Sequence, residues 1–99
     1  MDGSRANAAR SSNARFRAMS ANESQIRRAI GKELRATRLA SGLTQKELAS
    51  RLDCRASDVA AIERGVRRVE AAYLVRLAQA MNVDPKELLT RILQRAGVL

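Results

Sequence analysis

From residue 23 onward the apolar positions recur with a helical period. Ile26, Ile30 and Leu34 repeat every fourth residue and Leu39 continues near the same face, which predicts a first helix from Glu23 or Ser24 to Ala40. Gly42 follows as the left-handed stop expected beyond a helix end. Thr44 and Glu47 have the spacing of a capping box, so a second helix starts at Gln45 and runs to about Leu52, with Leu48, Ala49 and Leu52 inward. Asp53 takes the turn, where a positive φ is expected. Val59 and Ile62 mark a third helix from about Ala56 to Arg64, closed by Gly65. A fourth spans about Glu70 to Met81 on Leu74, Leu77, Ala78 and Met81, and Asn82-Val83 ends it. Asp84, Pro85 and Glu87 supply cap, first-turn proline and first-turn carboxylate for a fifth, with Leu88, Leu89 and Ile92 inward and Gly97 as its stop. The short connections predict a compact all-α bundle of five helices over residues 23–95, with a short C-terminal tail at 96–99.

Residues 1–22 differ in kind. They are rich in Ser, Ala, Asn and Arg and hold only Phe16 and Met19 as bulky apolar groups, too few to offset an ordering cost of roughly 1–2 kcal/mol per residue. The expectation is a disordered basic tail carrying Arg5, Arg10, Arg15 and Arg17: either a basic arm for DNA or a leader without a role.

Composition agrees with helices. The 99 residues contain one Tyr, one Phe, no Trp and one Pro, so the core is built from Leu, Ile, Val, Ala and Met. Nineteen Lys and Arg against ten Asp and Glu give a formal charge of +9, which points to a polyanionic partner, nucleic acid first. Codon bias toward Arg and Ala accounts for part of that excess. With no histidine and a lone Cys54, neither a Ser-His or Cys-His pair nor a cysteine zinc site is available, and no enzyme, cofactor or metal is expected. Cys54 is expected to pack. No signal-peptide core and no membrane-length apolar run is present, so a soluble, cytoplasmic protein is expected.

Several motifs stand in one order: Ile30-Gly31, Leu34-Arg35, Arg38, Gly42-Leu43-Thr44-Gln45, Glu47-Leu48-Ala49, Ile62-Glu63-Arg64-Gly65 and Leu74 through Val83. Together they resemble the lambda-repressor-like family of Cro/CI-type (XRE-like) helix-turn-helix regulators over roughly Ile30 to Ile92. The resemblance implies that Gln45 hydrogen-bonds a DNA phosphate beside Thr44 and Lys46, and that Arg38 and Glu63 form a buried ion pair joining the first and third helices. It also brings Arg64, Arg67 and Arg68 to the sugar-phosphate backbone, and sets Arg55, Ala56, Ser57 and Ala61 at the bases, with Asp58 among them.

The recognition positions depart from the family's habit. Two are alanines, which offer a thymine methyl only apolar contact. Arg55 replaces the usual Ser or Thr cap, and Asp58 would repel phosphates unless it accepts from cytosine or caps the helix. The resemblance implies a sequence-specific regulator of transcription, a repressor acting as a homodimer on an inverted-repeat operator and associated with the nucleoid when DNA-bound. Ile92-Leu93 and Val98-Leu99 are its candidate dimer face. The alternative is a module of the same fold whose Ala56, Ala60 and Ala61 face packs on another regulator or a toxin.

Overall fold

The computed structural model describes residues 22–99, in which five helices follow one another: α1 (Glu23–Ala40), α2 (Gln45–Arg51), α3 (Ala56–Glu63), α4 (Ala71–Ala80) and α5 (Pro85–Arg95). The predicted tail lies outside the described residues except for Asn22. That residue belongs to α1 as its cap: its Oδ1 accepts the Gln25 amide at 2.8 Å, and Gln25 Oε1 accepts the Asn22 amide at 2.9 Å.

Local chemistry sets both ends of the helices. Thr44 Oγ1 accepts the Glu47 amide at 3.0 Å while Glu47 Oε1 accepts the Thr44 amide at 2.9 Å, the reciprocal box expected before α2. Asp84 Oδ1 accepts the Lys86 amide at 2.9 Å and Pro85 opens α5. All five helices end on a residue in the left-handed region, namely Gly42, Asp53, Gly65, Asn82 and Gly97. In each case the next amide reaches back to a carbonyl five residues earlier, as Leu43 does to Arg38 at 3.1 Å and Cys54 to Ala49 at 3.0 Å. Asp53 adopts φ 55° because an aspartate side chain tolerates this region better than most.

One core joins the five helices. Leu34, Leu48, Val59, Ile62, Leu77, Leu88 and Ile92 are its largest fully buried side chains. The inward face of α1 is more polar than its apolar spacing implies. Glu33, Thr37 and Arg38 are buried beside Leu34, whereas Leu39 is 56% exposed. Leu39 stands five residues from Leu34, about 140° around the helix, so it leaves the face that Leu34 and Arg38 share. Leu89 likewise turns outward at 45% exposure, since Leu88 and Ile92 already take the inward stripe of α5. Ile30 and Leu74 pack only at the edge of the core.

α1 and α3 approach each other closely at Gly31. A Cβ placed there would meet the main-chain oxygen of Glu63 and lie 2.6 Å from that of Ile62, so α1 and α3 touch backbone to backbone. Helix propensity alone favours Ala over Gly by about 1 kcal/mol. We nevertheless expect Gly31→Ala to lower stability by about 1–3 kcal/mol through this overlap, read by urea unfolding. A stabilised variant would show that the two helices do not touch.

Candidate nucleic-acid interface

α2, the Leu52–Arg55 turn and α3 form a helix-turn-helix pair whose inner faces lie in the core. On α3, Val59 and Ile62 are buried, while Ser57, Ala61 and Arg64 follow at i, i+4 and i+7 on the opposite side. Ser57 and Arg64 are exposed and Ala61 half-buried, so this stripe faces away from the monomer. Ala56 is drawn partly inward and packs against the core.

A buried ion pair sets the tilt of α3. Arg38 Nε donates to Glu63 Oε2 at 2.6 Å, and Arg38 Nη2 donates to Oε1 at 3.1 Å. The two side chains are 7% and 4% exposed. Arg38 Nη1 also donates to the Leu43 carbonyl at 2.8 Å, and Gln45 Nε2 donates to Glu63 Oε1 at 3.0 Å. The carboxylate thus ties α1, α2 and α3 together. Sequence reasoning anticipated the pair but missed Gln45 as its third member, because residues 45 and 63 meet only in the fold.

Around this hub six of the predicted contact residues border two separate depressions. Thr44, Gln45, Lys46 and Ala56 border one open groove of about 690 Å³, with Arg35 on its rim. Arg35 was not among the predicted residues, although its place three residues before Arg38 on α1 puts both on neighbouring parts of one face. Arg67 and Arg68 line a separate depression of about 280 Å³ with Glu70 and Tyr73. Thr44 is committed to its capping box, which leaves its hydroxyl oxygen already engaged with the Glu47 amide.

Asp58 is engaged within the chain through both carboxylate oxygens. Its Oδ2 accepts the Arg55 amide at 3.0 Å, and its Oδ1 accepts Arg67 Nη1 at 2.7 Å. Of the alternatives its position left open, capping is the one that the geometry takes. The box is half-formed, since a guanidinium has no acceptor to offer in return. The Arg55 amide, with the Arg67 charge behind it, holds the Asp58 carboxyl below the usual aspartate range. Cys54 packs against the core and its Sγ takes the Tyr73 hydroxyl at 3.5 Å. Burial, then that contact, pushes the Tyr73 phenol up. The Arg76 guanidinium lies 5.7 Å from the centre of the Tyr73 ring. Among the described residues no group of three His, Cys, Asp or Glu is arranged to hold a metal ion, and no helix is long and apolar enough to cross a membrane.

Residues 29–90 match the helix-turn-helix domain family. The chain belongs to the XRE-like helix-turn-helix family. The control protein C.BamHI of Bacillus amyloliquefaciens is 35% identical over 65 residues, covering 65% of this chain and 80% of that protein. The restriction-modification controller protein C.AhdI of Aeromonas hydrophila is 37% identical with a TM-score of 0.60, over 63% of this chain and 90% of the controller. ClgR, the clp gene regulator of Corynebacterium glutamicum, superposes with a TM-score of 0.67 at 26% identity, over 70% and 90% of the two chains.

Two outcomes follow for this helix-turn-helix domain. Arg38→Ala or Glu63→Ala leaves a buried charge unpaired and should cost about 3–5 kcal/mol, whereas Arg38→Met with Glu63→Leu should cost much less, measured by denaturant unfolding. A single substitution that costs as little as the double one would contradict the buried hub.

The second concerns acid. The Thr44 amide, then its hydroxyl, holds the Glu47 carboxyl below the glutamate range, as Arg55 does for Asp58. Both groups bind protons more weakly folded than unfolded. Their contribution is complete above the ordinary carboxylate range of about pH 4 and is lost as the pH falls through their folded values. Thermal melts between about pH 6 and 3 should therefore decline less steeply for Glu47→Gln with Asp58→Asn than for the parent.

Proposed function

We propose that this chain is a sequence-specific DNA-binding regulator of transcription, a repressor that lays α3 in the major groove of a duplex. The observation that carries this reading is the outward stripe Ser57, Ala61 and Arg64 on a helix whose opposite face is fixed in the core. Arg55 precedes this stripe, and Arg67 and Arg68 follow it. The names of the relatives, a control protein, a restriction-modification controller and a gene regulator, support a regulatory role. Such a regulator works in the cytoplasm, on the nucleoid.

Each predicted residue has a physical part. Gln45 spends one amide proton on Glu63, and its second, with the Lys46 ammonium, serves a phosphate beside α2. Arg64, Arg67 and Arg68 meet the backbone of the duplex. Arg55 pairs with guanine O6 and N7, and Ser57 bonds a base edge. Ala56 and Ala61 offer thymine methyls apolar contact, and Asp58 acts through Arg55 and Arg67 rather than at a base.

The unit is a homodimer on an inverted repeat, with two copies of α3 about 34 Å apart in successive major grooves. A second copy is favoured by the apolar surface of α5 and the segment after it, where Leu89 and Val98 are each 45% exposed and Leu99 is 71% exposed. Leu93 adds a half-buried side chain. Ile92, expected in this face from the sequence, is 1% exposed and belongs to the core; Leu89, expected inward, takes its place outside.

Binding to labelled random duplex over a salt series tests the reading. We expect micromolar or tighter binding at about 50 mM salt, and Arg68→Ala should reduce the slope of log affinity against log salt by about 0.9. Selection from a random duplex pool should return an inverted repeat whose preferred bases change with Arg55→Ala or Ser57→Ala. No binding to any duplex in dilute buffer sinks the proposal and leaves the Ala60 and Ala61 face for a protein partner.

A further inference from the structure

We propose that Asp58 is an internal stand-in for a DNA phosphate, holding the Arg67 guanidinium in the free protein and yielding it to the duplex. The strength of this ion pair then limits how much Arg67 adds to sequence-independent binding. The inference rests on the DNA-binding reading above.

The two partners of the pair are held very differently. Asp58 sits in the first turn of α3 with one oxygen on the Arg55 amide, so its carboxylate is pinned to the helix. Arg67 sits in the connection between α3 and α4. Among the described residues, the amides of Arg67, Arg68, Val69 and Glu70 donate to no backbone carbonyl. Val69 packs against the core, and the Asp58 contact is the side-chain tie of Arg67 back to α3. The arginine is therefore the partner able to swing.

Solvent access makes the exchange easy. The Arg67 and Asp58 side chains are 50% and 33% exposed, against 7% and 4% for the Arg38–Glu63 pair. An ion pair so open to water holds weakly, and a polyanion can displace its carboxylate. Carboxylate and phosphate oxygens accept from a guanidinium in the same manner, so the swap needs little reorganisation. Asp58 immediately follows the exposed Ser57, and so sets a negative charge at the edge of the surface offered to the duplex. Left alone there it would repel phosphate; paired with Arg67 it holds one cation back until a stronger anion arrives.

The test uses the full chain with Asp58→Asn, Arg67→Ala, both together and Arg68→Ala, each titrated against random duplex across a salt series. Asparagine keeps an oxygen for the Arg55 amide, and thermal melts establish that every variant is folded. Asp58→Asn should tighten binding roughly three- to tenfold at about 100 mM salt and steepen the salt slope by up to about 0.9. In the Arg67→Ala background the same substitution should give less than half that gain. Arg67→Ala alone should cost less affinity than Arg68→Ala, because Arg67 must first leave its carboxylate; this comparison decides the matter if Asp58→Asn fails to fold. Unchanged or weaker binding by folded Asp58→Asn overturns the proposal. So does a gain that survives intact without Arg67, which would mean simple repulsion by the helix. A parent protein that binds no duplex removes the DNA-binding reading and this one together, an outcome distinct from binding that is insensitive to residue 58.

Discussion

Glu63 is held to α1 at two points. Its main-chain oxygen lies against Gly31, and its carboxylate reaches Arg38, two turns further along the same helix. Contacts about 10 Å apart on one rigid rod fix both the position and the direction of the end of α3. The same carboxylate takes the Gln45 amide, so the first turn of α2 is registered against the last turn of α3. A charge this deeply buried is costly to desolvate, and the cost is offset only when its hydrogen-bonding capacity is met. Here it is met: both carboxylate oxygens are engaged, the third guanidinium nitrogen of Arg38 bonds the Leu43 carbonyl, and the described residues contain no buried side-chain polar atom without a partner. The outward aim of Ser57, Ala61 and Arg64 follows from this hub.

How much of this was legible in the sequence depends on whether a feature is local. Helix ends were readable, because the Thr44 and Glu47 box, the Asp84-Pro85 start and the left-handed stops each act within a few residues. The Arg38–Glu63 pair was accessible through family resemblance alone, since 25 residues separate its members. Periodicity proved weaker at deciding which side of a stripe faces inward. Leu89 lies at the margin of its stripe and Leu39 falls outside the face of Leu34, and both are exposed. On α1 the inward positions beside Leu34 are filled by Thr37, Arg38 and Glu33, and Glu33 answers Arg95 of α5 at 2.7 Å, 62 residues away. No one-dimensional pattern reports such a partner.

The net charge of +9 also reads differently once the carboxylates are placed. Glu33, Asp58 and Glu63 are each paired with an arginine from another part of the chain, and Glu47 and Asp84 cap helices. Glu23 and Glu87 pair one turn along their own helices, which contributes little in water. Most acidic residues thus have a structural task, and the arginines they engage are not all available to a polyanion. Arg38 is buried, Arg95 is tied to Glu33, and Arg67 has a carboxylate to leave. The +9 already subtracts these pairs, so pairing changes where the surplus lies rather than its size: among the described residues the proposed contact residues Arg55, Arg64 and Arg68 form no ion pair.

That localisation bears on how a helix poor in hydrogen-bonding side chains would discriminate between sequences. With Ala56 drawn toward the core and Ala61 carrying only a methyl, direct reading of base edges in the proposed complex would fall to Arg55 and Ser57 at the start of α3. Two side chains per half-site supply modest discrimination at best. In the proposed homodimer symmetry would double them, and a fixed separation between two copies of α3 would add a constraint on the length and twist of the DNA between half-sites. Sequences that accommodate that spacing cheaply gain affinity without being touched. On this reading, the rigid Arg38–Glu63 hub contributes to specificity as directly as any base contact does. A recognition helix free to tilt would forgive the wrong spacing, and the chain would be left with little more than its attraction to phosphate.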